Sequence, residues 1–306
     1  MPRICSGPLV HDTLHVILDG GDVRLSYFVS GEGTPVTLLH GFTQSGRSWF
    51  EIISRMPAGW MFIVPDIRGH GETRIEPGAQ CSMDACTGDL ERLWDHLGVA
   101  RTHLVGYSMG GRLALHVAAR RPERILSLLT IGAHAGLAEE AREGRRQADA
   151  ALADRIEQEG LEPFVNYWTS LPLFAGLEGR GPAFVAQVRA ERMTNDVFGL
   201  ACSLRGMGAG AMEPLWDEIE QLPFPCTFVA GQLDHAYVNS ARRLAATVPT
   251  GRVEVVPRAG HPVHQERPQV FARLLAAHLA ATTPSVHVPQ TSDTPGDDST
   301  SSATSA

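Results

Sequence analysis

The stretch Leu104-Val105-Gly106-Tyr107-Ser108-Met109-Gly110-Gly111 decides how this chain reads. An apolar run over 102–105 leads into a sharp turn with a serine at its tip. A helical pattern follows in Leu113, Ala114, Val117 and Ala118. Gly106, Ser108 and Gly110 fit a Gly-x-Ser-x-Gly elbow. Such a turn holds its serine in a strained backbone conformation, and a side chain at either flanking position would collide with the neighbouring strand or helix. The strain lifts the hydroxyl clear of the sheet. The helix starting there turns free N–H groups and its positive dipole end towards any anion forming beside it. The pattern alone is common; the strand before it and the helix after it give it weight.

Outward from the elbow, strands and helices alternate. Residues 14–18 and 23–28 read as a hairpin around Asp19-Gly20-Gly21-Asp22. The apolar runs 35–39, 61–64, 124–131, 226–231 and 252–256 read as further strands. Short continuous apolar runs are what strands buried on both faces require. Helices are expected over 49–56, 89–97 and 239–247, and from near Pro268. This alternation predicts an α/β fold, a mostly parallel central sheet covered by helices. Between 135 and 214 the strands stop. Helices are expected at 138–159, 163–168, 182–195 and 196–207, which reads as an inserted helical cap over a ligand site. The expected division is a core of 1–134 and 215–281, a cap of 135–214, and a tail of 282–306. The tail is so poor in apolar residues that disorder is expected.

Bulk properties narrow the function. The 306 residues, 43% hydrophobic, suffice for one large domain with an insertion. A net charge of -8 argues against a nucleic-acid binder. All 26 basic residues are arginine, which excludes Schiff-base lysine chemistry and a lysine-bearing phosphate loop. The five cysteines form no Cys-x-x-Cys and suggest neither a disulfide framework nor a zinc site. No cofactor or metal is expected. No stretch is long and apolar enough to span a bilayer, so the cytoplasm is the expected location. The composition does not fix the oligomeric state.

A serine hydroxyl needs an imidazole to take its proton, and the imidazole needs a carboxylate to set its tautomer. Asp234 and His261 each lie just past a strand end, on the sheet edge where the elbow opens. Asp149, Asp154, Asp196 and Asp217 sit in or beside helices instead, and His264 lies deeper in its loop, where packing is the expected role. His40-Gly41-Phe42-Thr43 ends the strand at 35–39. The amides of Phe42 and Met109 are thereby candidates for an oxyanion hole. Asp66, Arg68 and His70 are expected to brace one another and their loop rather than to react.

With these residues placed, the chain resembles the α/β-hydrolase superfamily over roughly 12–281. Leu39-His40-Gly41-Phe42-Thr43, Gly106-Tyr107-Ser108-Met109-Gly110-Gly111-Arg112 and Ala259-Gly260-His261-Pro262-Val263-His264 are similar to the 2-succinyl-6-hydroxy-2,4-cyclohexadiene-1-carboxylate synthases of menaquinone biosynthesis. So are the cap segments Arg145-Arg146-Gln147-Ala148-Asp149, Phe164-Val165-Asn166-Tyr167-Trp168, Pro172-Leu173-Phe174 and 199–208. The resemblance implies a lyase that takes a proton from carbon and expels pyruvate from an enolpyruvyl cyclohexene. It implies a small polycarboxylate substrate held by Arg112, Arg145 and Arg192, with Tyr107 and Trp168 lining the pocket. Alternatives on the same fold are an ester or carbon–carbon bond hydrolase. A non-catalytic receptor is the alternative from another class.

Overall fold

The computed structural model describes residues 13–19 and 21–283. Nine strands form one sheet: β1 (Thr13–Asp19), β2 (Val23–Ser30), β3 (Gly33–Leu39), β4 (Gly59–Pro65), β5 (Arg74–Ile75), β6 (Thr102–Tyr107), β7 (Ile125–Ile131), β8 (Cys226–Gly231) and β9 (Gly251–Val256). Their order is β1-β2-β4-β3-β6-β7-β8-β9, with β5 beside β2. The pairs of β2 with β1, β4 and β5 are antiparallel, and the pairs from β4 through β9 are parallel. From β3 the chain moves to β4 on one side and then returns to β6 on the other. That reversal opens a crevice at the carboxyl ends of β3 and β6, the usual ligand edge of such a sheet.

Alternation along β6 builds both faces of the core. Leu104 packs with Leu93 and Trp94 of α2 (Met83–His96), Leu113 and Val117 of α3 (Met109–Arg120), and Leu244 of α9 (His235–Thr247). Val105 points the other way, to Trp49, to Ile52 of α1 (Phe50–Ile53), and to Phe271 and Leu275 of α11 (Pro268–Thr282). Burying each large apolar side chain contributes about 1.5–3 kcal/mol. The two short helices α8 (Trp216–Ile219) and α10 (Val263–Glu266) complete the core.

Between β7 and β8 lie only helices: α4 (Glu139–Glu159), α5 (Leu161–Thr169), α6 (Pro182–Arg192) and α7 (Val197–Met207), with a 3-10 stretch at Pro172–Arg180. α6 and the 3-10 stretch pack through Val188, Phe174 and Leu177, while α4, α5 and α7 share a small core that includes Ile156, Phe164, Leu200 and Leu204. Phe42 packs against both this cluster and the main one, so it joins cap to sheet.

Local chemistry explains where element ends differ from expectation. α2 begins at Met83 rather than 89, because the Ser82 hydroxyl accepts from the Ala85 amide at 3.1 Å. α6 ends at Arg192, and α7 restarts behind Asp196, whose carboxylate caps the Gly199 amide at 2.8 Å. The helix expected at 49–56 shrinks to Gly46–Trp49 and α1. Thr282 closes α11, and the Thr283 hydroxyl lies 3.1 Å from His103 Nε2. The rest of the tail lies outside the described residues. Among the described residues no helix is long and apolar enough to cross a membrane.

Candidate active site

Ser108 sits between β6 and α3 with φ 52° and ψ −109°, a sparsely populated conformation that costs about 1–3 kcal/mol. Its neighbours explain why the turn survives. A Cβ on Gly106 would collide with the Gly110 carbonyl oxygen, and one on Gly110 with the carbonyls of Leu39 and His40. The Ser108 amide donates to the Ile131 carbonyl at 2.8 Å, and its own carbonyl accepts from the Arg112 amide at 2.9 Å. The turn is thus tied to β7 behind and α3 ahead.

Ser108 Oγ lies 2.9 Å from His261 Nε2, and His261 Nδ1 lies 2.7 Å from Asp234 Oδ2. Asp234 precedes α9 and His261 follows β9, so three separate strand ends bring the three groups into one line. The backbone of Gly132, at the end of β7, runs so close to the imidazole that a Cβ there would stand 2.7 Å from His261 Cε1. Tyr107 packs on the ring at a centroid distance of 5.1 Å, and Tyr237 at 4.5 Å. His261 is therefore held by packing as well as by hydrogen bonds. A hydroxyl, a base and a carboxylate in this line can carry a proton away from an attacking or reacting group.

The second amide source is the loop after β3. His40 is fully buried and fixes that loop in a single tautomer. Its Nε2 accepts from the Ile67 amide at 2.9 Å, so its Nδ1 carries the proton and donates to the Gly41 carbonyl at 2.8 Å. Burial drives its pKa well below the ordinary value, as the neutral form requires. A Cβ on Gly41 would meet the Tyr107 ring at 2.6 Å, so only glycine lets the loop lie against the elbow. Thr43 has a φ of 68°, and its carbonyl accepts from Asn195 Nδ2 at 2.9 Å. The same Asn195 accepts from the Gly71 amide at 2.9 Å, so one cap side chain braces two core loops. The amides of Phe42 and Met109 are spent on no acceptor among the described residues.

The arginines differ sharply. Arg192 is 1% exposed. Its Nη1 donates to Thr169 Oγ1 at 2.8 Å and its guanidinium lies over the Phe174 ring, but Nε and Nη2 have no partner. Among the described residues no carboxylate lies within ion-pair distance of it. Glu191 turns away to accept from the Ser45 amide and hydroxyl at 2.9 and 2.8 Å. Burial brings the Arg192 pKa down to about 10, opposed by Tyr107 and Glu191. Arg112 is likewise brought down to about 10 by burial and donates one bond, to the Met207 carbonyl at 2.7 Å. Arg145 is half-exposed and already paired with Asp149 at 2.8 Å. Trp168 lies edge-on to Phe42 at 5.3 Å, and its Nε1 is buried without a partner.

Two residues here escaped the sequence reading. Tyr237 lies in the first turn of α9, three positions past Asp234, and that offset was its one visible signal. His134 is buried and pushed down to about 3, first by burial and then by Arg112 and Arg145. At His134 the two arginines add positive charge to the effect of burial. His264, in keeping with a packing role, stacks on Trp49 at 4.6 Å. Arg68 and Asp66 brace loops, though not each other. Arg68 binds Asp22 and Asp89, while Asp66 accepts from the amides of Gly46 and Glu72.

Residues 34–268 match the family model of the alpha/beta hydrolase fold. A Bacillus subtilis protein, provisionally named 2-succinyl-6-hydroxy-2,4-cyclohexadiene-1-carboxylate synthase, is 35% identical over 276 residues, covering 88% of this chain and 99% of that one. The chain belongs to this family of α/β hydrolases. An Enterobacter synthase of the same name is 28% identical, over 80% of this chain and 91% of its own. Among solved structures, MenH from S. aureus superposes with a TM-score of 0.79 at 29% identity, covering 84% of this chain and 98% of that one. An esterase from Thermogutta terrifontis, solved with malate bound, superposes with a TM-score of 0.77 at 26% identity, covering 88% and 99%. Within the family, then, both a synthase and an ester hydrolase share this backbone, and the backbone does not choose between them.

Proposed function

We propose that the protein is a 2-succinyl-6-hydroxy-2,4-cyclohexadiene-1-carboxylate synthase, a lyase that eliminates pyruvate from an enolpyruvyl cyclohexene. The observation that carries this reading is Arg192, a buried guanidinium with two unpartnered donor nitrogens and, among the described residues, no carboxylate within ion-pair distance. A buried cation without a partner is costly unless an anion arrives to pair with it. An acyl pocket for neutral esters has no use for such a group; a polycarboxylate substrate does. Arg112, with a single backbone acceptor, and the orphan Trp168 Nε1 add donors of the same kind.

In this reading Ser108, Asp234 and His261 are the catalytic residues. His261 takes the hydroxyl proton of Ser108, and the serine oxygen removes the proton from the ring carbon. Asp234 stabilises the imidazolium that forms. The electron pair left on carbon becomes the new ring double bond as the carbon–oxygen bond to the enolpyruvyl group breaks. The enolate of pyruvate leaves and takes the proton held by His261 at its methylene carbon, which restores the triad. The amides of Phe42 and Met109 hold the negative oxygen or carboxylate during the step. Arg192, Arg112, Tyr107 and Trp168 bind substrate, and Arg145 contributes from the rim. The cap, 135–214, closes over the core formed by 1–134 and 215–281.

The test is direct. Incubation with the enolpyruvyl intermediate should yield pyruvate and the diene absorbance in equal amounts. Ser108→Ala and His261→Ala should each cost several orders of magnitude, without adding, because the residues act as one unit. Faster turnover of nitrophenyl acetate than of the enolpyruvyl substrate, with Arg192 variants slowing both alike, would instead support the ester hydrolase suggested by the Thermogutta neighbour.

A further inference from the structure

Three cysteines not used by the site gather where α7 of the cap meets the loop leading into α2. Cys81 is buried in that loop, and Cys202 is half-buried on α7. Cys202 Sγ donates to the Ala79 carbonyl at 3.6 Å, two residues before Cys81. Gly206, one turn further along α7, lies so close that a Cβ on it would collide with the Cys81 carbonyl oxygen. The Cys81 and Cys202 thiols are close enough that each shifts the other's titration. Cys86 is engaged elsewhere, donating to Met207 Sδ at 3.1 Å.

We propose that Cys81 and Cys202 are a modification site, a thiol pair that a peroxide converts into a disulfide joining the cap to the core. The proposal goes beyond the synthase reading and does not depend on it. The environment divides the labour between the two sulfurs. The Cys81 side chain beside it, with help from Arg68 and Arg205, brings Cys202 down to about 7, whereas the Cys81 thiol is pushed up, first by Cys202 and then by burial. The half-exposed Cys202 thiolate is thus the attacking group, and the buried Cys81 the resolving one. Cys202 attacks one oxygen of hydrogen peroxide. The O–O bond breaks, hydroxide leaves and takes up a proton, and a sulfenic acid remains. Cys81 gives up its proton and attacks that sulfur, and the S–O bond breaks to release water. Two thiols and one peroxide become one disulfide and two waters.

The link would pin the helix that lies over the elbow. α7 carries Ser203, whose hydroxyl meets Met109 Sδ at 3.5 Å, and ends at Met207, whose carbonyl holds Arg112. The experiment treats the full chain with hydrogen peroxide, alkylates the remaining thiols, and digests with trypsin and a protease cutting before aspartate. Cleavage before Asp84 separates Cys81 from Cys86. The expected result is an intact mass lower by about 2 Da before alkylation, a Cys81–Cys202 cross-link, and its loss on dithiothreitol. Cys202→Ser should abolish the link. Cys81→Ser should leave Cys202 as a sulfenic acid that dimedone traps, with circular dichroism verifying that both variants fold. A link to any other cysteine, oxygen gained at Cys202 in the unsubstituted chain while Cys81 still alkylates, or no reaction at Cys202 overturns the proposal.

Discussion

Arg68 and Arg192 are equally hidden, at 2% and 1% exposure, and chemically opposite. Arg68 lies in the loop after β4. It donates to both oxygens of Asp89 at 2.8 Å each, to both oxygens of Asp22, and to the Gln80 carbonyl. Its acid partners raise its pKa against the burial that would lower it. Arg192, at the end of α6, has one hydroxyl acceptor, an aromatic face and two orphan donors. Its pKa falls to about 10 because burial outweighs the opposing charges of Tyr107 and Glu191. The first arginine is finished by the fold, and the second is left for a ligand to finish. Burial of a charge therefore says little until its partners are counted.

Breaking Arg68 should give the largest effect. Arg68→Met leaves Asp89 buried without its main partner and should cost roughly 3–5 kcal/mol of stability. Urea unfolding measures it, and turnover should fall only in step with the folded fraction. Arg192→Met should do the reverse. Removing orphan donors leaves stability unchanged or raises it by about 1 kcal/mol, because no bond is lost except the one to Thr169. Binding of the carboxylate substrate should weaken by roughly 2–5 kcal/mol. A fall in melting temperature matching that of Arg68→Met would erase the distinction between the two.

Buried bases with no ion partner test the same logic through pH. His103 of β6 and His278 of α11 flank the Ser127 hydroxyl of β7, at 2.7 and 2.8 Å, where α11 packs on the sheet. Burial, chiefly, lowers both to about 4, against an ordinary value of 6.5. Below 6.5 the unfolded chain binds protons that the folded chain refuses, so stability is full above that pH and declines as pH falls towards 4. At pH 5 the loss should be about 2 kcal/mol for each histidine. Unfolding curves at pH 7 and pH 5 measure it, and His278→Gln should flatten the slope. The smallest effect belongs to Arg145→Ala. Its guanidinium is half-exposed and paired with Asp149, so the loss in substrate binding should stay below about 1 kcal/mol and shrink with salt. A salt titration of KM in this variant and its parent measures that.

The elbow was legible in the sequence because its demands are local. Glycines at 106 and 110 answer collisions with backbone only a few residues away or on the adjoining strand, and no side chain fits there in any packing. The order Ser108, Asp234, His261 followed from strand ends, since a parallel sheet delivers every such loop to one edge. Strand and helix alternation fixed the fold class for the same reason: periodicity is written residue by residue.

The arginines were not legible in this way. Sequence supplied 26 identical cations, and the family resemblance named three of them for one role. Tertiary structure alone sorted them, because a guanidinium's state depends on partners far along the chain. Arg68 finds Asp22 at a separation of 46 residues, and Arg192 finds Thr169 at 23. Arg145 finds Asp149 one turn away, a pairing that helical spacing alone makes visible. The same dependence on distant partners holds for Tyr237 on the triad imidazole and for Cys202 against the Ala79 carbonyl. Neither contact follows from spacing, since each joins elements that only the closed sheet and the cap packed on it bring within reach.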